Sequence, residues 1–71
     1  MPSIYSQDYQ TFLKRLKKAR LDAGLTQVQV SKRLKLPQTV ISKIERGERR
    51  LDVVETGRFA KLYKKSLTYF S

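Results

Sequence analysis

The chain has 71 residues, carries a formal net charge of +10, and contains neither cysteine nor histidine. This length limits it to one domain with a small core, and the missing residue types exclude disulfides, the usual zinc-ligand sets and the commonest catalytic base and thiol nucleophile. The charge fits nucleic acid, an anionic membrane surface or an acidic protein as the partner.

The first predicted element is an amphipathic helix behind a flexible arm. Residues 1–7 show no periodicity and are predicted as the arm, which leaves 8–71 as the domain. From Asp8 onward, apolar residues recur at three- and four-residue steps, a spacing that predicts a helix. We expect Gly24 to end this helix as a left-handed cap. The apolar stripe consists of Tyr9, Phe12, Leu13, Leu16, Ala19 and Ala23.

A second short helix is predicted to begin after Thr26. Gln29 follows Thr26 by three residues, the spacing of a capping box. Residues 27–31 also alternate between polar and apolar types, which is typical of a strand. The capping box and the i, i+4 pair of Val30 and Leu34 favour the helix.

The third predicted helix follows a tight break. Pro37 suits its first turn, and Ile41 and Ile44 lie on one of its faces. Gly47 is expected to end it. Two helices folded about a three- to four-residue turn form a helix-turn-helix unit, here residues 27–46, whose second helix enters the DNA major groove.

The fourth predicted helix runs from Val53 to about Tyr63, with Asp52 and Glu55 as its capping pair. Gly57 lies in its interior, where glycine costs about 1 kcal/mol, and marks either close packing or a locally loose spot. Ser66 is expected to cap a last short helix over residues 67–70. The whole pattern predicts an all-α, compact bundle of four to five short helices.

Two motifs carry a resemblance to a known family. Residues 24–27 read Gly-Leu-Thr-Gln, and residues 41–50 read Ile-Ser-Lys-Ile-Glu-Arg-Gly-Glu-Arg-Arg. Together they resemble the phage repressor and Cro family of helix-turn-helix regulators. The resemblance implies a lambda repressor-like fold and departs from the family pattern at Lys35, Pro37 and Gly57, where the family usually has glycine, a Ser or Thr cap and a bulky apolar residue.

The candidate base-reading residues lie on the third helix. With Ile41 and Ile44 turned inward, four polar side chains must point outward. Glutamine can pair with adenine, lysine with guanine, and the threonine methyl group with thymine. The resemblance implies base contacts at Gln38, Thr39 and Lys43, and Ser42 is a candidate from its outward position. We interpret Val40 as part of the edge of the core rather than as a thymine contact. The candidates are Gln38, Thr39, Ser42 and Lys43.

Other polar residues are assigned to phosphate contacts or to structure. The resemblance implies a phosphate contact for the glutamine that heads the second helix, and the basic candidates border the third helix. The phosphate candidates are Gln27, Lys35, Arg46, Arg49 and Arg50. Arg20 and Glu45 fall on inward-leaning positions, and the resemblance implies that they form an internal salt bridge that holds the first helix to the third.

The end of the chain is predicted to mediate self-association. Five large apolar residues fall among the last ten, and a small core cannot take them all. The alternative is that Leu62 and Leu67 fold back and leave only the last two aromatic residues exposed. The resemblance adds that such a terminus often continues into a further domain. The dimer candidates are Leu62, Tyr63, Tyr69 and Phe70.

The leading hypothesis is a sequence-specific binder of double-stranded DNA, a bacterial or phage transcription regulator and repressor. It is expected to act in the cytoplasm, at the nucleoid, as a homodimer on a palindromic operator. The alternatives are a protein-interaction module or the DNA-targeting domain of a larger toxin–antitoxin-type or peptidase-linked regulator, and binding of nucleic acid or membrane by charge alone. No catalytic constellation, cofactor, metal or small-molecule substrate is expected, and no apolar run approaches the ~20 residues of a membrane span.

Overall fold

A computed structural model describes residues 6–70, which form four α-helices and a terminal 3₁₀ helix without any strand. The predicted all-α bundle is therefore confirmed. The bounds are α1 Gln7–Asp22, α2 Gln27–Leu34, α3 Gln38–Glu45, α4 Val53–Tyr63 and the 3₁₀ helix Leu67–Phe70.

The start of α1 lies one residue before its predicted position. The Ser6 hydroxyl accepts a hydrogen bond from the Tyr9 backbone N–H at 3.1 Å, so Ser6 is the N-cap and Gln7 the first helical residue. The rest of the arm predicted over residues 1–7 lies outside the described residues. At the other end of the helix, Gly24 has a φ of +72°, as the left-handed cap requires.

Both predicted capping boxes are confirmed. At the start of α2, the Gln29 N–H donates to the Thr26 hydroxyl at 3.1 Å, and the Thr26 N–H donates to the Gln29 carboxamide oxygen at 2.8 Å. Asp52 and Glu55 make the same reciprocal pair at the start of α4. The strand alternative for residues 27–31 is wrong because the capping box and the i, i+4 pairing favour the helix.

The turn between α2 and α3 contains a strained lysine. Lys35 has a φ of 56° in the left-handed region, which costs a residue with a side chain about 1–2 kcal/mol. The Leu36 N–H donates to the Ser31 carbonyl at 3.1 Å, and Arg58 of α4 donates to the Leu34 carbonyl at 2.7 Å. These bonds satisfy carbonyls at the end of α2 and help to hold the turn without glycine. Pro37 is the N-cap residue of α3, one position before the predicted first turn, and no side chain caps that helix.

The core joins all four α-helices. Leu16 of α1, Val30 of α2, Ile41 and Ile44 of α3, and Phe59 of α4 are at most 1% exposed. Gly47, with a φ of +80°, lies against this core, and a Cβ atom there would come within 2.9 Å of the Leu13 Cδ1 atom. The backbone conformation therefore favours glycine at this position, and a larger residue would in addition force the Leu13 side chain to shift.

Gly57 differs from Gly47 in both respects. It lies inside α4 with helical backbone, and a Cβ atom built on it would meet nothing within 4 Å among the described residues. The close-packing explanation for Gly57 is therefore wrong as far as residues 6–70 are concerned.

The predicted exposure of the terminal apolar residues is wrong for two of the four dimer candidates. Tyr63 is 3% exposed and Phe70 is 5% exposed, and both belong to the core. Phe70 is buried because the 3₁₀ helix packs on α1 and α4, whereas Tyr63 lies in α4 with its ring against Phe59. The Phe70 ring contacts Phe12 with centroids 5.9 Å apart. Leu62 and Tyr69 are partly buried against the same core. Leu67, which the alternative placed inside, is 51% exposed.

Candidate nucleic-acid interface

The outer face of α3 carries the predicted base-reading residues. Gln38, Thr39 and Lys43 are exposed, and Ser42 is half-buried. They face outward because Ile41 and Ile44, on the opposite side of the helix, are fully buried in the core. Val40 is half-buried and packs against the core, as interpreted from the sequence.

A chain of hydrogen bonds connects this face to the interior. Gln38 Nε2 donates to Gln27 Oε1 at 3.0 Å, and Gln27 Nε2 donates to Glu45 Oε1 at 3.2 Å. Because a carboxylate only accepts hydrogen bonds, Glu45 fixes which way the Gln27 carboxamide points, and Gln27 in turn fixes Gln38. The sequence predicted separate roles for these residues but not the hydrogen bonds between them, since no spacing rule links positions 27, 38 and 45.

The chain of hydrogen bonds ends at a buried ion pair. Arg20 donates to Glu45 through Nε at 2.7 Å and through Nη2 at 3.1 Å, and the two side chains are only 8% and 4% exposed. The third donor, Arg20 Nη1, bonds to the Leu25 carbonyl at 2.9 Å. This bidentate pair holds α1, the loop before α2 and the end of α3 in one arrangement. The predicted pairing of Arg20 with Glu45 is present.

The basic phosphate candidates surround α3, and three of them have intramolecular partners. Arg46 pairs with Glu48 at 2.7 Å, and the Arg50 guanidinium lies over the Tyr9 ring, 5.3 Å from its centroid. Arg49 donates to both carboxylate oxygens of Glu55. Lys35, exposed in the strained turn, lies at the other end of the unit. These contacts orient the arginines, but the acidic partners of Arg46 and Arg49 offset their charge.

The Arg49 contact is a second bidentate pair. Its two Nη atoms donate to Glu55 at 3.2 and 2.8 Å, with side chains 39% and 21% exposed. The hydrogen bond from Arg49 lowers the pKa of the Glu55 carboxyl below its ordinary value and raises the pKa of Arg49. Glu55 also accepts from the Asp52 N–H at 3.3 Å as part of the capping box. One carboxylate therefore serves both the start of α4 and the basic loop before it.

Residues 6–70 contain neither a candidate metal site nor a candidate membrane span. No group of three or more acidic side chains there could hold a metal ion. None of the helices in this part of the chain is long and apolar enough to cross a membrane.

A comparison with protein-family models matches residues 16–70 to a helix-turn-helix family. This is the phage repressor and Cro type of helix-turn-helix, whose α2–α3 arrangement is the one described above. The chain belongs to this family. Its members are DNA-binding transcription regulators, and the match covers the whole helix-turn-helix unit together with the last part of α1, α4 and the 3₁₀ helix. No curated protein matches the helix-turn-helix chain in a sequence search.

Proposed function

We propose that this helix-turn-helix domain binds double-stranded DNA in a sequence-specific manner and acts as a transcriptional repressor of bacterial or phage origin. In this proposal α3 enters the major groove, and two copies bind the half-sites of a palindromic operator, about one helical turn apart. Such a regulator would work in the cytoplasm, at the nucleoid.

The observation that carries the proposal is the fixed orientation of Gln38. Its carboxamide uses one N–H to bind Gln27, whose own orientation is set by Glu45. Recognition of adenine by glutamine needs one N–H and the carbonyl oxygen, and Gln38 has both beyond the bond to Gln27. An outward glutamine held before DNA arrives loses less side-chain entropy on binding, which favours readout over an ordinary surface role.

The other base-reading candidates are arranged around Gln38 on the same exposed face. Thr39 can contact a thymine methyl group, and Lys43 can reach guanine O6 and N7 one turn further along. Ser42, half-buried, can reach a base edge only if α3 sits deep in the groove.

The phosphate candidates would supply affinity without specificity. Gln27 would use its remaining donor capacity, and Lys35, Arg46, Arg49 and Arg50 would neutralise phosphates on either side of the groove. The net charge of +10 supports this assignment, since it attracts any duplex regardless of sequence.

Selection from a random duplex library followed by substitution tests the proposal. Gln38→Ala should weaken binding to the selected site by about 1–3 kcal/mol and relax the preference at one base position, with little change on random DNA. Lys35→Ala is the matched control, because loss of a phosphate contact should weaken both duplexes equally. Equal losses of Gln38→Ala on selected and random duplexes would exclude the readout role.

A further inference from the structure

The positive charge of the chain is distributed unevenly, and most of it lies away from the outer face of α3. The side of the domain that carries the basic phosphate candidates, called the reading side here, has five bases against three acids, a net charge of only +2. A second group on α1, α2 and the end of α4 has nine bases against two acids, a net charge of +7. The reading side comprises Lys35, Lys43, Arg46, Arg49 and Arg50 with Glu48, Asp52 and Glu55, and the second group comprises Lys14, Arg15, Lys17, Lys18, Lys32, Arg33, Lys61, Lys64 and Lys65 with Asp8 and Asp22. The two remaining bases are Arg20, which Glu45 neutralises, and Arg58, which bonds to the Leu34 carbonyl.

The body of the domain separates the two groups of charge. Ile41 and Ile44 bury the inner side of α3 in the core, and within residues 6–70 the α4 helix packs on α1 and α2 but not on α3. The domain measures 20 Å along its shortest axis. Exposed charges more than about 8 Å apart are largely screened from each other at physiological ionic strength. The second group therefore contributes little to the binding of a duplex at α3, and its excess charge needs another explanation.

Side chains from three helices bring part of this second group together. Lys18 of α1 and Lys65, which follows α4, both contact the Asp22 carboxylate, with Nζ atoms 3.1 and 3.8 Å from the same oxygen. A groove of about 500 Å³ runs beside this carboxylate, and Arg33 of α2, Lys64 and Lys65 line it. One carboxylate is thus shared by two lysines, and the surface around it keeps an excess of positive charge.

Two more lysines extend this surface along α1 and α4. Lys14 lies one turn before Lys18 and is exposed like it, and Lys61 lies three residues before Lys64, also exposed. We refer to these six bases together as the second basic face: Lys14, Lys18, Arg33, Lys61, Lys64 and Lys65.

The fold does not use the charge of at least two of these residues. The side chains of Arg33 and Lys64 form no hydrogen bond or ion pair within residues 6–70. Lys64 is strained in addition, because it caps α4 in the left-handed region, with a φ of 58°. A base held in a strained conformation without an intramolecular partner indicates a contact outside the chain.

The composition of the second basic face indicates the class of its ligand. Five lysines and one arginine suit the phosphates of a DNA backbone, and none of the six offers an amide or aromatic group for reading bases. A helix that binds a membrane surface instead needs a continuous apolar face beside its bases. Among residues 6–70, the large apolar residues exposed beside these lysines are Leu21 and Leu67, which lie on different elements. DNA is therefore favoured over a membrane.

We propose that the second basic face binds the phosphate backbone of a second DNA segment, so that the domain bridges two duplexes. One duplex is read in sequence by α3, and the other is held by charge alone. The proposal rests on the proposed function only for the first duplex, since contacts to a phosphate backbone need no operator.

Capture of a second duplex by an immobilised complex tests the proposal. A short duplex with a single selected half-site is fixed to beads and saturated with the chain, and a labelled random duplex is added at several salt concentrations. The unmodified chain should retain the labelled duplex. Arg33→Gln/Lys61→Gln/Lys64→Gln should bind the half-site normally but lose about tenfold or more in capture, with a salt dependence reduced by about three ions. No capture by the unmodified chain, or unchanged capture by the triple variant, would overturn the proposal.

A control triple variant separates the second basic face from the net charge. Lys35→Gln/Lys43→Gln/Arg46→Gln removes the same charge from the reading side. It should weaken binding to the half-site, but at a concentration that saturates the beads it should capture the labelled duplex as the unmodified chain does. An equal loss of capture in both triple variants would mean that net charge alone holds the second duplex, which would overturn the proposed surface.

Two further outcomes concern the ligand class and the proposed function. Phosphatidylserine vesicles and poly-glutamate replace the labelled duplex in parallel samples. Retention of either at a salt concentration that releases the duplex would overturn DNA as the ligand. If the chain does not prefer the half-site to random DNA, the proposed function fails. The second basic face then stands if the Arg33→Gln/Lys61→Gln/Lys64→Gln variant loses more affinity for random DNA than the control triple variant, and it falls otherwise.

The two left-handed lysines provide a matched pair of single variants. Lys35 and Lys64 have φ values of 56° and 58°. Glycine at either position should raise the thermal midpoint by a few degrees, because glycine adopts this conformation without strain. Lys64→Gly should nevertheless weaken capture and spare half-site binding, whereas Lys35→Gly should do the reverse. A higher midpoint with unchanged capture in Lys64→Gly would overturn the place of Lys64 in the second basic face.

Discussion

Two arginine–carboxylate pairs of the same chemistry connect the end of α3 and the loop after it to other helices. Arg20 and Glu45 join α1 to the end of α3 with side chains 8% and 4% exposed, whereas Arg49 and Glu55 join the loop after α3 to α4 with side chains 39% and 21% exposed. Both are bidentate, with shortest distances of 2.7 and 2.8 Å. Geometry alone would therefore rank them as equals.

Their surroundings make them different. The buried pair has given up hydration and is compensated by its own contacts, by the Leu25 carbonyl and by the Gln27 carboxamide, so loss of one partner leaves an uncompensated charge in the core. The exposed pair keeps much of its hydration, and water can replace either partner. We infer that the first pair determines whether the domain folds correctly and that the second mainly orients a basic side chain at the surface.

Removal of one buried partner should have the largest effect. Arg20→Met should lower the free energy of unfolding by about 3–5 kcal/mol, because Glu45 is left buried without its partner. The double variant Arg20→Met/Glu45→Leu should recover much of this loss, since both charges are then gone. Denaturant melts of the two single variants and the double variant measure the coupling. Strictly additive losses would mean that the two side chains do not interact.

Much of this arrangement could be predicted from the sequence because its signals are local. Capping residues three positions apart, such as Thr26 and Gln29, together with helical periodicity, gave α2 and α4 their correct starts. The pairing of Arg20 with Glu45 came from the family resemblance, since 25 positions separate the two residues.

What could not be predicted depends on tertiary contacts between distant positions. The bond from Arg58 to the Leu34 carbonyl and the chain from Gln38 to Glu45 follow from how the helices pack. The burial of Phe70 depends on the 3₁₀ helix turning back onto α1, which apolar character alone does not indicate. Apolar character suggested exposed residues at the tail, whereas the exposed valines Val53 and Val54 lie at the start of α4.

Substitution of Tyr63, near the buried pair, should change the stability less than Arg20→Met does and in the opposite direction. Tyr63 is buried, its hydroxyl has no hydrogen-bond partner within residues 6–70, and burial, reinforced by the nearby Glu45 carboxylate, raises its pKa well above the ordinary value. Tyr63→Phe removes a desolvated polar group and keeps the ring that packs on Phe59. Thermal or denaturant unfolding should show a gain of up to about 1 kcal/mol. A clear loss would show that the hydroxyl interacts with the Arg20–Glu45 pair through a partner such as buried water.

The exposed pair should give the smallest change in stability. Arg49→Ala should lower the free energy of unfolding by less than about 1 kcal/mol, and Arg46→Ala, which breaks a still more exposed pair, by less again. Arg49 lowers the pKa of Glu55, so the stabilisation from this pair is complete above the ordinary value of 4.5 and is lost as the pH falls through the lowered pKa. The unmodified chain and Arg49→Ala should therefore differ most near neutral pH and converge in acid. An NMR titration should find the pKa of Glu55 raised toward its ordinary value in the variant.

The same substitution tests whether Arg49 serves DNA as well as Glu55. If Arg49 contacts phosphate, Arg49→Ala should weaken binding to selected and random duplexes alike and reduce the salt dependence of affinity by about one ion. Glu55→Gln sharpens the test, because it removes the charge that offsets Arg49. If Arg49 contacts phosphate, this variant should strengthen binding to both duplexes. If Arg49 is purely structural, the salt dependence of affinity should stay unchanged on both duplexes. Gln38→Ala, which alters the neutral readout face, should leave the salt slope intact. An unchanged slope in Arg49→Ala would restrict this pair to orienting the loop and leave Lys35 and Arg50 as the main phosphate candidates, since neither has an acidic partner among the contacts described above.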